Sequence, residues 1–299
     1  MADIKELKDR IDGITEMRKI TNAMYLIASV KLQQARAELE KVRPSFDILR
    51  REMQRIFRAD AKTENDYFYP AEGPRDEETT VGFLVITSDK GLAGAYSQSI
   101  IKTALKRASE CDADSTKMFV IGEHGRQYFR NHGLPFAEEF DYPARTPTFH
   151  RAREMCVDLM RRYDSGEIDE LRVLYTDYKN GMQTSVREER ILPFERTDFT
   201  GSDVVGEGFE FLPSIGEVLN TVVGGYVAGF IFSALVDSFC SEQSARMNAM
   251  DTANRNAGDL LNELKLQYNH ARQSAITREI TEISSGYKHR RREQPLNDR

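Results

Sequence analysis

Tryptophan is absent from this chain and cysteine is scarce, with only Cys111, Cys156 and Cys240 among 299 residues. The three lie far apart, are odd in number and form no Cys-x-x-Cys pair. That excludes a disulfide framework and fits a reducing compartment. The five histidines (His124, His132, His150, His270, His289) make no His-Glu-x-x-His or other ligand spacing, so no metal or cofactor is expected. Neither a GxxxxGK[ST] loop nor a GxGxxG loop occurs, so a Walker lysine is missing. An excess of positive charge is missing too: the net charge is -6, which removes a general case for nucleic acid. The N-terminus, MADIKELKDRID, lacks both a secretory apolar run and the acid-poor character of a transit peptide, so the chain is expected to be cytosolic.

Proline is absent from residues 214–286, which read as one long helix. Its second half is short of large apolar side chains: residues 241–283 are rich in Ala, Asn, Gln, Arg and Glu. A helix polar on most sides is no ordinary core helix; it bridges, pairs along a narrow seam, or sits inside something else. The first half holds 19 uncharged residues, 218–236, long enough to span a bilayer. Asn220, Thr221 and Ser233 interrupt that run, Gly224, Gly225 and Gly229 dilute it, and no Lys or Arg anchors its ends. The expected alternative is a helix buried on several sides, with glycines that let another element approach closely.

The N-terminal segment carries a second helical pattern. Ile4, Leu7, Ile11, Ile14, Arg18, Thr21, Tyr25, Ala28, Leu32, Ala35, Leu39, Val42, Phe46, Leu49, Met53 and Ile56 are spaced alternately by three and four. A sustained period of about 3.5 residues predicts a left-handed coiled coil. Pro44 predicts a kink or a break inside it. No charged residue falls between Thr21 and Val30.

The middle differs. Strands are expected at 81–87, 117–121 and 171–176, with an edge strand at 186–193. Helices are expected at 96–110, 123–132 and 148–163. The alternation implies a mainly parallel sheet covered on both faces. SDKGLAG, between the first strand and first helix, stands where a phosphate loop would sit, but it reads as a tight turn. The fold class is therefore α/β: a long antiparallel two-helix coiled coil formed by both chain ends, with an inserted Rossmann-like α/β domain. Residues 1–58 and 209–286 form the coiled coil, 59–78 a linker, 79–208 the α/β domain, and 287–299 a basic, solvated tail.

If the helices pair antiparallel, partner numbers add to about 270, and roughly 17 residues of the C-terminal helix remain unpaired, about 25 Å. That overhang holds Arg272, Gln273, Ile276, Ile280 and Ile283. A lone helix of this length is unstable in water, so it predicts an enclosing partner.

Three blocks, in order, carry a resemblance: KITNAMYLIASVKLQQAR, TSDKGLAGAY and SEQSARMNAM with NELKLQYNHARQSAITREITEI. On them the chain resembles the gamma subunit of F-type ATP synthases, over nearly its whole length. The resemblance implies a central rotor shaft inside a hexamer of alpha and beta subunits, with its α/β foot beside the epsilon subunit and the membrane ring of c subunits. It implies no bond-making by the shaft, no cofactor, and a peripheral place on the cytoplasmic face of a bacterial membrane. Carried over by position, Arg272 and Gln273 meet a catch loop of a beta subunit. Met24 and Arg246 lie near the acidic lever of that subunit. Phe209 and Phe211 lie at the foot near the c ring, and Ile276, Ile280 and Ile283 sit in an apolar sleeve. The chain departs from the family pattern at Asn22, Ala93 and Ala95, in the glycines of 224–229, and in running past Gly286. Two other classes compete: a Rossmann-type enzyme with a coiled-coil appendage, and a coiled-coil scaffold anchored in a membrane through 218–236.

Overall fold

The computed structural model describes residues 2–59, 67–68, 79–111, 115–179, 183–195 and 214–293. In chain order the elements are α1 (Ala2–Ala59), β1 (Val81–Ile86), α2 (Tyr96–Glu110), β2 (Thr116–Ile121), α3 (Glu123–Asn131), α4 (Phe149–Asp164), β3 (Glu170–Lys179), β4 (Gln183–Leu192) and α5 (Ile215–Glu293). They form two compact units. One combines Met1–Ile27 with Asn248–Arg299, and the other is Ala28–Met247.

In the larger unit the four strands are ordered β2-β1-β3-β4. β1 pairs in parallel with both β2 and β3, while β4 pairs antiparallel with β3 at the edge. Strand alternation sorts the core. Val81, Phe83 and Val85 face one side, packing with Ile100, Ile101 and Ala104 of α2 and Phe129 of α3. Leu84 and Ile86 face the other, which is covered by α4 (Met155, Leu159), α1 (Met53, Ile56) and α5 (Leu219 through Cys240). Every β1 residue is buried, as a parallel strand with both faces covered must be. β1 leads to β2 on one side and the chain returns past it to β3, so the topological switch point lies at the carboxyl end of β1.

The apolar run of α5 is a core helix of this unit. Among the described residues one helix is long and apolar enough to cross a membrane, but the run in question packs on α1, α4 and the sheet. Its glycines do what their placement predicts. A Cβ on Gly229 would lie 2.5 Å from the Phe46 ring, and one on Gly225 would lie 3.2 Å from Leu49. Those contacts also fix the helix pair as antiparallel here, since Phe46 and Leu49 ascend α1 while 229 and 225 descend α5. Tyr226 stacks on Phe46 with ring centroids 5.0 Å apart.

In the smaller unit, Arg18 Nε donates to Asn254 Oδ1 at 3.0 Å. Partner numbers therefore add to 272 here and to 274–275 at the glycines. The sequence expectation of 270 is off by about half a turn to about one and a half turns. Of the sixteen predicted seam positions on α1, every one but Arg18 is buried or half-buried. Pro44 does not break α1, which runs continuously through it. Pro44 is exposed, and on either side of it Val42 packs on the core and Phe46 packs on Gly229 and Tyr226.

Candidate functional site

The blocks singled out in the sequence fall at two places. The first is the carboxyl end of β1, where doubly wound sheets take their ligands. Here the SDKGLAG turn is held by the chain's own groups. Asp89 accepts through Oδ1 from the N–H groups of Glu123 (3.2 Å) and Ala144 (3.1 Å), and through Oδ2 from Arg145 (2.8 Å). A carboxylate thus occupies the N-terminus of α3, as an anion would. Gly122, at φ 90°, approaches the Thr87 carbonyl so closely that a Cβ would fall 2.7 Å from it. Ser88 and Ser97 hydroxyls bond at 2.7 Å. The turn is as tight as its composition predicts.

α5 closes the rest of this crevice. Ser238, Ser241, Glu242, Gln243 and Ser244 are polar and all are buried. The Thr176 N–H donates to Ser238 Oγ and the Ser241 hydroxyl donates to the Thr176 carbonyl, each at 3.2 Å. Arg246 Nη2 donates to Glu242 Oε1 at 2.7 Å, to the Gly91 carbonyl at 3.1 Å and to the Lys90 carbonyl at 3.3 Å. Burial raises the Glu242 carboxyl above the usual range, and the Arg246 charge pulls against that rise. Burial also raises the Tyr96 hydroxyl, and the Glu242 charge adds to it. The thiols of Cys156 and Cys240 are both pushed up to about 12, chiefly by burial, which leaves them unreactive. Among the described residues no group of three or more His, Cys, Asp or Glu is placed to hold a metal.

The second place is the last part of α5, in the smaller unit. Up to residue 286 the last buried residue is Leu264. Arg272 and Gln273 are exposed, and every residue from 276 to 286 is exposed. Ile276, Ile280 and Ile283 are 47%, 62% and 67% exposed. α5 continues to Glu293, so the tail expected to begin at 287 is helical in its first seven residues. The cause is local: no proline or turn-forming pair follows Gly286 until Pro295.

The remaining expected site residues divide. Met24 is half-buried on α1. Arg246, expected at a partner, is tied to its own fold, with its side chain 11% exposed. Phe209 and Phe211 lie outside the described residues. One surface of the smaller unit was missed: Met17, Ile20, Leu26 and Ile27 stand more than half exposed on α1, off the seam. The charge-free run from Thr21 to Val30 was a signal for Leu26 and Ile27 alone.

Comparison with known proteins follows this geometry. The family described as ATP synthase matches residues 3–288. The ATP synthase gamma chain of Acetivibrio thermocellus is 38% identical over 297 residues, covering 96% of this chain and 98% of the relative. That of Ruminiclostridium cellulolyticum is 36% identical over 289 residues, covering 95% and 97%. Among solved structures, a chain of the Euglena gracilis mitochondrial ATP synthase matches all of this chain and 98% of its own length, with TM-score 0.62 at 14% identity. A chain of the Tetrahymena thermophila mitochondrial ATP synthase central stalk and c-ring matches 78% of this chain and 99% of its own, with TM-score 0.60 at 22% identity. These two likenesses concern the fold.

Proposed function

The chain belongs to the ATP synthase gamma-chain family, and from that premise we propose that it is the central rotor shaft of a proton-translocating F-type enzyme. Rotation of a membrane c ring turns the shaft, and each shaft orientation stabilises a different set of beta-subunit conformations. A shaft can shift those conformations only through contacts that differ between them, so its working parts are the surfaces it offers to the hexamer. The shaft itself makes and breaks no bonds in this reading and holds no cofactor. Its place is peripheral, on the cytoplasmic face of a bacterial membrane.

The observation that carries this reading is the exposed end of α5. Isoleucines at 276, 280 and 283 recur at helical spacing and are all exposed. An uncovered helix of that kind calls for a surrounding apolar wall. Arg272 and Gln273, one turn before it, meet a catch loop of a beta subunit, and Met24 meets the lever segment. Phe209 and Phe211 lie near the c ring, and the epsilon subunit contacts the α/β unit.

The deciding experiment is co-purification of the tagged chain from its own cells. The expected result is recovery of catalytic alpha and beta subunits in complex with it. Recovery of the chain without them sinks the proposal. Tight nucleotide binding by the isolated chain would instead favour a Rossmann-type enzyme.

A further inference from the structure

The turn between β1 and α2 contains Leu92 at φ 63° and Gly94 at φ 56°. Glycine adopts this conformation freely, but a leucine there is under strain. The Leu92 side chain is 62% exposed, so packing does not hold it in place. The two carbonyls immediately before it do have a common tether: Lys90 O and Gly91 O both accept from one nitrogen of Arg246. Relaxing Leu92 would swing those carbonyls off their donor. The guanidinium is fixed in turn by Glu242, one helical turn earlier, whose side chain is only 8% exposed. The far side of the turn is clamped by Asp89 on the N–H groups of Glu123, Ala144 and Arg145.

We propose that Arg246 is a positioning residue that locks the Lys90–Leu92 turn to α5, so that turn and helix move as one body. This role is played inside the chain, through the bonds to Lys90, Gly91 and Glu242. Every group in the argument belongs to the larger unit, and the inference stands apart from the rotor reading.

The test is hydrogen exchange on the full chain, comparing the parent with Arg246→Met, which keeps much of the length and loses the donors. Amides in residues 88–96 should exchange about tenfold faster or more, the fold-change for losing hydrogen bonds from a charged group. Amides of β2 should be unchanged. Arg246→Lys, which keeps a cationic donor, should fall between the two, a rescue that lost packing alone would not give. Should Arg246→Met fail to fold, Glu242→Gln is read instead, with a smaller rise confined to the same residues. Exchange in 88–96 equal to the parent's, or a rise spread evenly over the larger unit, overturns the inference.

Discussion

Two stretches of α5 are polar for opposite reasons. Residues 238–246 hold Ser, Glu, Gln and Arg because they fill the crevice at the end of a parallel sheet, where backbone carbonyls and N–H groups need partners. Residues 276–286 are mostly polar and every one of them is exposed. Composition does not separate the two, since both read as a helix too polar for a core. What separates them is burial: Ser238, Ser241, Glu242, Gln243 and Ser244 are buried, whereas every residue from 276 to 286 is exposed. The first stretch is therefore a matter of folding and the second a matter of assembly. Substitutions in the first should be felt by the isolated chain, and substitutions in the second only in the complex.

The sharpest break is expected where the buried part of α5 meets α1. Gly229→Val should destabilise the isolated chain by about 2–3 kcal/mol, since its Cβ overlaps the Phe46 ring. Urea denaturation measures it, and an unchanged midpoint would show that the helices are not in close contact there. Asp237, at the start of the buried polar stretch, comes next. Burial, and then the negative charge of Asp177, push its carboxyl up to about 7. The folded chain therefore holds this proton more tightly than the unfolded chain does. Stability from this group is full below the ordinary carboxylate range and falls as pH rises through about 7. Asp237→Asn should match the parent near pH 4 and exceed it at pH 8 by on the order of 2 kcal/mol. Parallel stability profiles for the two proteins would contradict that.

Smaller effects sharpen the comparison further. Ser241→Val leaves the Thr176 carbonyl without that donor and should cost about 1–2 kcal/mol. Ile280→Ser, in the exposed stretch, should leave the isolated chain within about 0.5 kcal/mol of the parent. It should nevertheless weaken association with the alpha–beta hexamer, read by titration of the two. A drop in isolated-chain stability as large as that of Ser241→Val would mean the stretch is covered within the chain after all.

Much of this was legible in the sequence, and the residues show why. The 3.5-residue stripe from Ile4 to Ile56 is a periodic signal over many turns, and the burial follows it almost position by position. Helix α2 lies at the expected 96–110, and β1 and β2 lie within one residue of expectation. The β3–β4 hairpin is longer than expected, because its outer half is charged and paired across the strands, as in Arg187 to Asp177 at 2.7 Å. The partner register was off because it depends on side-chain sizes at the crossing, such as Phe46 against Gly229, and not on helix lengths. The anchor at Arg246 was not legible. Its partners are two backbone carbonyls some 155 residues away, and no side-chain pattern records a carbonyl. The burial of Ser238 and Ser241 escaped for the same reason.

The central claim is that the exposed residues 276–286 await cover from a partner. Hydrogen exchange along α5, in the free full chain and in its complex with the alpha–beta hexamer, tests it directly. The account predicts that 276–286 exchange at least about tenfold more slowly in the complex, while 238–246 are equally protected in both. Equal exchange of 276–286 in the two states would contradict it.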